Sequence, residues 1–309
     1  MGGGANLPGQ SQDSNRTVEL LILGAGWTST FLIPLLQQKG IHYAATTTTG
    51  RDETYKFRFD PDDSEGNRRQ IRDLPSARNV LITFPLKGEG QSRALVELYA
   101  DTHDTHDTHD THSGGNDHGA SFPYRFIQLG SSGIFTIPGQ DTWVTRKSRY
   151  DDRNERAVAE DELLGLGGCV LNLSGLWGGG RKPRDWIERV AGTKDMLGGK
   201  KSLHMVHGLD VARGIVGVVG EWEKAKGQRF LLTDLMVYDW WALVLGFAGE
   251  IDEENGDGKM EGRQIKWVGE LMKENNARAL PRSMDDLGRC YDSREFWEMF
   301  GVMPIRSRI

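Results

Sequence analysis

The 309-residue sequence contains few cysteines. Only Cys169 and Cys290 occur, and neither stands in a Cys-x-x-Cys or Cys/His spacing. The sequence therefore predicts neither a disulfide framework nor a structural zinc site. Such sparse cysteine usage is typical of a reducing compartment, so the expected location is the cytoplasm and both thiols are expected to be inert packing residues.

Long apolar runs are also missing. The most hydrophobic later stretch, 235–248 (LMVYDWWALVLGFA), is interrupted by Asp239 and is shorter than the about 20 residues that a membrane span needs. A buried helix is the better prediction for it. Residues 1–16 contain no apolar core of the kind found in signal peptides and are predicted to be a disordered tail.

Positive charge is not in excess, because 38 Lys and Arg residues face 44 Asp and Glu residues and the net charge is −6. Neither nucleic acid nor an anionic membrane surface is therefore an expected partner. A small-molecule substrate remains the expected partner, and a homodimer is possible.

What the sequence does contain is an alternation of strand-like and helical patterns, which predicts an α/β fold with a doubly wound parallel (Rossmann-like) sheet. The predicted strands are 18–23, 41–47, 56–59, 79–84, 125–129 and 169–173, and the predicted helices are 28–39, 90–99 and 156–164. The alternation loosens from residue 174 on, where we predict helices at 184–190 and 209–223, a strand at 229–233 and a helix from Val237.

These patterns predict a dinucleotide-binding domain over 17–250, with substrate-lobe elements from residue 174 and a small C-terminal substrate lobe over 251–309. A repeat, DTHDTHDTHDTHSGGNDH, begins at Asp101 and contains no large apolar residue. Residues 101–120 are therefore predicted to be a disordered insertion. Its histidines and aspartates can take up divalent metal ions, but composition alone does not define a site, and no metal is predicted.

A glycine motif, Gly24-Ala25-Gly26, follows the first predicted strand and precedes the first predicted helix. In that context Gly24 permits a tight turn, and Gly26 lets the backbone approach a pyrophosphate at the helix N-terminus. A plain tight turn is the alternative. The predicted cofactor-binding residues of this turn are Gly24, Gly26, Trp27, Thr28 and Ser29, the last standing where a third glycine is usual.

An acidic residue at the end of the second strand, which in NAD-binding proteins holds the ribose hydroxyls, is missing. That place reads Thr-Thr-Thr-Thr-Gly-Arg over 46–51. Threonine hydroxyls and a guanidinium suit a 2′-phosphate, so Thr48 and Arg51 are predicted cofactor contacts, and NADP is favoured over NAD as the cofactor.

The order of several motifs resembles the extended short-chain dehydrogenase/reductase superfamily, and within it the atypical, NAD-dependent epimerase/dehydratase-like branch. The motifs are GxGxxS at 24–29, TTTxGR at 46–51, VLITFP at 80–85, LGSSGIF at 129–135, SGLWGGGR at 174–181 and HMVHGLDVA at 204–212. The resemblance implies that Phe84 and Pro85 border the nicotinamide-side crevice and that Ser132 is the catalytic serine. It also implies that SGLWGGGR closes over the substrate and that the helix starting in VHGLDVA orients the C-terminal lobe.

The catalytic Tyr-x-x-x-Lys pair of that superfamily is incomplete. Tyr150 is followed at the fourth position by Asn154, and an alignment on Glu160 puts Asp152 and Arg156 in the two places instead. Arginine titrates too high to shuttle a proton, although Arg156 can still anchor a cofactor ribose or phosphate. Tyr150 is retained as a possible displaced acid.

Two functions follow. The first is an NADP-linked oxidoreductase or epimerase-like enzyme acting on a small polar metabolite, with Ser132 and Tyr150 as its catalytic residues. The second is a catalytically silent NADP-binding sensor or interaction protein. His207 is interpreted as a half-buried histidine hydrogen-bonded at a helix start, with a catalytic role as the alternative, and Trp177, Trp186, Trp240 and Trp241 as packing residues.

Overall fold

The computed structural model describes residues 17–103, 123–248, 261–307 and 309. The predicted tail over 1–16 lies outside the described residues. The predicted insertion does so too, except that Asp101–His103 are helical. The chain divides into two compact units. Unit 1 comprises Met1–Gly130, Arg153–Leu171 and Val218–Arg229, and unit 2 comprises Ser131–Asp152, Asn172–Gly217 and Phe230–Ile309.

The predicted doubly wound parallel sheet is confirmed, with seven strands in the order β11-β7-β5-β4-β1-β2-β3. Strand β1 pairs in parallel with β2 on one side and with β4 on the other, so the direction of winding reverses beside it. The strands of this sheet are β1 (Val18–Leu23), β2 (Tyr43–Thr47), β3 (Tyr55–Lys56), β4 (Ala77–Ile82), β5 (Arg125–Ser131), β7 (Cys169–Leu173) and β11 (Arg229–Leu232).

Short strands form three two-stranded pairs apart from this sheet, β8 with β10, β9 with β12 and β6 with β13. Their bounds are β6 (Trp143–Val144), β8 (Gly175–Trp177), β9 (Ser202–Leu203), β10 (Met205–His207), β12 (Tyr238–Asp239) and β13 (Cys290–Tyr291).

The α-helices are α1 (Ser29–Lys39), α2 (Ser64–Arg72), α3 (Gln91–His103), α4 (Glu155–Gly165), α5 (Ile187–Val190), α6 (Lys194–Gly198), α7 (Gly208–Gly220), α8 (Trp222–Ala225), α9 (Trp240–Ala248), α10 (Glu261–Glu274), α11 (Met284–Leu287) and α12 (Arg294–Met299). Two 3-10 helices span Ser132–Phe135 and Pro183–Trp186. None of the described helices is long and apolar enough to cross a membrane.

The core of unit 1 explains why β1 reads as a continuous apolar run. Leu20–Leu23 are all fully buried, as expected for a strand covered on both faces, and Leu32 and Leu36 of α1 are buried as well. Pro34 is the sixth residue of α1, so the helix accommodates a proline in its second turn. Removing such leucines from water stabilises the fold by about 2 kcal/mol each.

Several predicted bounds are wrong for identifiable reasons. The strand predicted at 56–59 ends at Lys56, because the Gln70 side chain takes up the backbone N–H and C=O of Arg58. The helix predicted at 209–223 is interrupted at Glu221 and becomes α7 and α8. Helix α2 was not predicted because its sequence is almost entirely polar. Its one local signal is Asp63, whose Oδ1 accepts a hydrogen bond from Gly66 N at 2.8 Å.

Unit 2 contains the predicted buried helix of the 235–248 stretch, which begins at Trp240 rather than near Val237. Residues 238–239 form β12, and Asp239 Oδ1 accepts a hydrogen bond from Trp241 N at 2.9 Å. Trp240 and Trp241 are buried, which confirms their prediction as packing residues. Cys169 in unit 1 and Cys290 in unit 2 are both buried free thiols, also as predicted.

Candidate functional site

The glycine turn of unit 1 connects β1 to α1. Gly24 has φ +94°, in the left-handed region, and a Cβ on it would lie 2.7 Å from Thr83 Oγ1. Its N–H donates to Thr46 Oγ1 at 3.0 Å, and its carbonyl accepts a hydrogen bond from the Thr83 hydroxyl. Glycine is therefore required at this position both by backbone conformation and by the close approach of Thr83.

Gly26 differs from Gly24, because a Cβ on it would have no heavy atom within 4 Å. The space beside it is open. Thr28, the N-cap residue of α1, makes no side-chain cap hydrogen bond, and the first turn of α1 contains no acidic residue. The N-terminus of this 11-residue helix has no side-chain cap, and its positive dipole end beside the open space at Gly26 suits the pyrophosphate of a dinucleotide.

The other predicted residues of the turn pack into unit 1 to different extents. Trp27 contacts Phe31 edge to face, with ring centroids 5.1 Å apart. Thr28 and Ser29 are buried, and Ser29 Oγ has no hydrogen-bond partner among the described residues. The small side chain of Ser29 is therefore accommodated in the interior of unit 1, where a larger one has no room without rearrangement.

The loop after β2 is organised by threonine hydroxyls. Thr47 Oγ1 accepts hydrogen bonds from Gly50 N at 3.0 Å and from Arg51 N at 3.2 Å, which closes the loop on itself. Thr48 is exposed. The Arg51 side chain is 69% exposed and lies 3.7 Å from the carboxylate of Asp52, itself 86% exposed. Such an exposed pair contributes little energy, so the Arg51 guanidinium can exchange that carboxylate for another anion.

Phe84 adjoins the glycine turn, since its ring lies 3.4 Å from the Cβ position of Gly24. It stacks on Phe59 with ring centroids 6.2 Å apart, while the following Pro85 is exposed. Phe84 is therefore held in place by an aromatic neighbour at the carboxyl end of β4, the edge at which parallel α/β sheets bind ligands.

Arg156 lies in the first turn of α4, which Asn154 caps by accepting a hydrogen bond from Arg156 N at 3.0 Å. Its Nη2 donates to Leu129 O at 3.4 Å, and its buried Nε has no partner among the described residues. Because α4 begins at Glu155, neither Tyr150 nor Asp152 is on that helix. The one-turn spacing of a helical Tyr-x-x-x-Lys pair therefore does not exist here.

Ser132, the predicted catalytic serine, belongs to unit 2 and starts the 3-10 helix that follows β5. It is buried, and its Oγ is 3.4 Å from Ser174 Oγ, a long distance for two hydroxyls. Its carbonyl accepts a hydrogen bond from the Tyr291 hydroxyl at 2.9 Å. Among the described residues, no carboxylate or amine contacts Ser132 Oγ, so a general base is not part of this arrangement.

Tyr291 is in turn held by His204, whose Nε2 accepts a hydrogen bond from Tyr291 N at 3.0 Å. The two rings lie 4.3 Å apart. Burial lowers the pKa of His204 to about 3, with the nearby Arg289 charge acting in the same direction. Burial also raises the pKa of Tyr291. Both side chains are therefore neutral near pH 7 and suited to holding Ser132 rather than to moving a proton.

Tyr150 packs edge to face on Phe135, with ring centroids 5.9 Å apart.

His207 accepts a hydrogen bond on Nδ1 from Leu209 N at 3.0 Å, at the start of α7, which confirms its predicted place at a helix start. Burial lowers the pKa of His207. Among the described residues there is no group of three His, Cys, Asp or Glu side chains that could hold a metal ion.

Sequence reasoning missed the partners of Ser132. Tyr291 and Ser132 are separated by 159 positions, and Tyr291 and His204 by 87. The sequence signals for such contacts are weak, because a tyrosine beside a cysteine in a short strand and a lone histidine between two short strands are not motifs. Only the three-dimensional structure brings these residues to the Ser132 turn.

Neither protein-family models nor curated protein sequences match the chain. Solved structures do. A short-chain dehydrogenase/reductase superfamily protein from Agrobacterium tumefaciens with bound NAD is 12% identical, with a TM-score of 0.53 over 76% of this chain and 82% of that chain. Gre2 from Candida albicans in complex with NADPH is 11% identical, with a TM-score of 0.55 over 94% and 95%.

MoeE5 in complex with UDP-glucose and NAD is 13% identical, with a TM-score of 0.54 over 94% of each chain. The resemblance to the short-chain dehydrogenase/reductase superfamily is thus confirmed at the level of the fold. At such low identity the likeness shows the Rossmann-like architecture and nothing more specific.

Proposed function

We propose that this chain binds a nicotinamide dinucleotide at its glycine turn and acts as an NADP-linked oxidoreductase or epimerase-like protein on a small polar metabolite. The observation that carries the proposal is the contrast within the turn. The space beside Gly24 is occupied by Thr83 and Phe84, whereas the space beside Gly26 is open and lies at the N-terminus of α1, which has no side-chain cap. The positive dipole end of α1 beside this space suits a pyrophosphate.

The residues that would hold the cofactor are those of the turn, with Thr48 and Arg51 at the 2′-phosphate, Phe84 and Pro85 along the crevice, and Arg156 at a ribose or phosphate. Arg51 favours NADP over NAD, because its exposed guanidinium has only a weak surface pair to give up. When bound, a nicotinamide ring supplies the hydride donor or acceptor of the reaction. The bound forms of the structural neighbours include both NAD and NADPH.

The roles of Ser132 and Tyr150 remain part of this proposal. Ser132 would polarise a substrate oxygen, with its position fixed through its carbonyl by Tyr291. Tyr150 would act as the displaced acid. The location proposed for the protein is the cytoplasm, and a homodimer remains possible.

A second candidate function is a catalytically silent NADP-binding sensor or interaction protein. Ser132 with its neighbours Ser174, His204 and Tyr291 forms what we call the Ser132 cluster. The second function is favoured because no described member of this cluster is a base on Ser132 Oγ and because α4 contains no helical Tyr/Lys pair. The two functions differ in one measurement. An oxidoreductase consumes NADPH in the presence of a suitable carbonyl compound, and an epimerase-like enzyme converts its substrate without net consumption of the cofactor. A sensor binds NADPH and converts neither the cofactor nor a substrate.

The proposal is tested by parallel calorimetric titrations with NADPH, NADP and NADH of the wild-type protein and of Arg51→Ala. We expect Arg51→Ala to weaken NADPH and NADP binding by about tenfold, because one charge-assisted contact to the 2′-phosphate is lost. NADH binding should not change. Equal losses for all three nucleotides would remove Arg51 as the specificity residue, and no binding of any of them to the wild type would refute the proposed function.

A further inference from the structure

A positive charge lies beside the Ser132 cluster in unit 2. Arg289 directly precedes β13, and its Nη1 donates a hydrogen bond at 2.8 Å to Oγ1 of Thr136, the residue that ends the Ser132–Phe135 helix. Its Cζ is 5.2 Å from the centroid of the Tyr291 ring. Because Tyr291 also bonds Ser132 O, two contacts tie the Arg289 guanidinium to the Ser132 turn.

This guanidinium has no counter-ion among the described residues. Other arginines of unit 2 with comparably covered side chains do have one: Arg146 lies 2.7 Å from Glu295, Arg213 3.1 Å from Asp210, and Arg282 2.7 Å from Asp239. The partners of Arg289 are instead a hydroxyl and an aromatic face. Unit 2 thus pairs these three arginines with carboxylates, whereas no described carboxylate pairs with Arg289.

Neither His204 nor Tyr291 carries a negative charge that would offset the charge of Arg289. His204 is neutral because burial lowers its pKa to about 3, and burial raises the pKa of Tyr291, so that it is also uncharged near pH 7. Arg289 is half-buried, and its Nε is buried without an acceptor. A partly desolvated cation without a counter-ion is costly, and an anion that pairs with it recovers that cost.

We propose that Arg289 binds an anionic group, a carboxylate or a phosphate, of the molecule that reacts beside Ser132. This inference rests on the proposed function and narrows its substrate from a small polar metabolite to a small acidic one. A guanidinium suits this role because its planar fork matches the paired oxygens of a carboxylate or phosphate. Arg289 would thereby set specificity, while Ser132 contacts the reacting oxygen.

The test uses malonate, inorganic phosphate and the neutral malonamide as probes in calorimetric titrations at constant ionic strength. The protein is saturated with NADP first, so that the glycine turn is not free to take up the anions. The variants are Arg289→Met, which removes the charge, and Arg289→Lys, which keeps the charge but loses the fork. Arg278→Met serves as the control, because Arg278 is an exposed arginine of the same unit.

We expect malonate or phosphate to bind the wild type, malonamide not to bind, and Arg289→Met to weaken anion binding at least about tenfold. Arg278→Met should bind the anions as tightly as the wild type does. The NADP affinity should be the same in the wild type and in all variants. Absence of anion binding to the wild type, or undiminished binding to Arg289→Met, would overturn the proposal. Preference for one anion identifies the group.

Thermal unfolding of each variant guards against a folding defect. If Arg289→Met does not fold, Arg289→Lys decides, with a weakening of about threefold or more expected and an unchanged affinity contradicting the proposal. Repeating the titrations without NADP separates the two claims. A protein that fails to bind NADP but binds malonate in an Arg289-dependent way refutes the proposed function and leaves the anion site standing.

Discussion

The glycine turn of unit 1 and the Ser132 cluster of unit 2 are built in opposite ways. The turn is made of backbone, and its key positions lie within a few residues of one another in the sequence. The cluster is made of side chains from distant positions, with Tyr291 bonding Ser132 across 159 residues. Gly24 has the left-handed backbone that a tight turn needs, whereas the second site fixes the Ser132 carbonyl through Tyr291 and provides no base on Ser132 Oγ among the described residues. Anion binding needs only correctly placed N–H groups, whereas proton transfer also needs a titratable acid or base in contact with the reacting atom.

The largest expected effect contrasts the two glycines of the turn. Gly24→Ala should lower the free energy of unfolding by about 3 kcal/mol. The alanine would have to adopt a left-handed φ, and its Cβ would clash with Thr83. Gly26→Ala should change it by less than about 0.5 kcal/mol, since nothing lies within 4 Å of its Cβ. Urea unfolding of both variants measures the difference. Equal losses would mean that Gly26 is structural and that no open space was kept there.

A smaller effect is expected from the pH dependence of the Ser132 cluster. The folded pKa of His204 is about 3, below the ordinary value of 6.5, so the unfolded chain takes up the proton first. The His204 contribution to stability is therefore complete above pH 6.5 and is lost as the pH falls toward 3. At about 1.4 kcal/mol per pH unit, we expect a loss of about 2 kcal/mol by the time the pH has fallen to about 5.

His204→Gln isolates this contribution, because glutamine can accept the Tyr291 N–H hydrogen bond without titrating. The wild type should lose stability relative to this variant as the pH falls through the window, as followed by urea unfolding at several pH values. A constant difference between the two proteins would show that His204 does not remain neutral in the folded state.

The smallest effect is expected at the Tyr291 hydroxyl. Tyr291→Phe leaves the Ser132 carbonyl without its donor and should lower the free energy of unfolding by about 1 kcal/mol, measured by denaturant titration. NADPH affinity should stay within about twofold, because the glycine turn is unchanged. Tyr43→Phe is the control, since the Tyr43 hydroxyl accepts an exposed hydrogen bond from Gln37 Nε2. A loss no greater than that of the control would mean that Tyr291 does not hold Ser132.

The same contrast explains how much of the structure could be predicted. The strand, turn and helix over 18–39 were predictable because burial of β1 on both faces and the glycine requirement act within a short stretch. The short length of β3 was not predictable, because the side chain of Gln70 on α2 takes up the backbone hydrogen bonds of Arg58 and so ends the strand. Helix α2 escaped prediction because its polar sequence lacks an apolar periodicity.

The candidate site divides along the same line. Gly24, His207 and the buried cysteines have the local surroundings that their sequence contexts predict. Tyr291, His204 and Arg289 could not be assigned from the sequence, because their significance arises only from contacts across long stretches of chain. The missing helical Tyr/Lys pair was recognisable from the sequence, since it concerns the spacing of two residue types.

Binding of a nicotinamide dinucleotide at the glycine turn is best tested by calorimetric titration of NADPH into the wild-type protein and into Gly26→Asp. The aspartate places a carboxylate in the open space at the N-terminus of α1, where a pyrophosphate would lie. We predict saturable binding to the wild type, at least about a hundredfold weaker binding to Gly26→Asp, and the same unfolding midpoint for both. Equal NADPH affinity in the two proteins would contradict it.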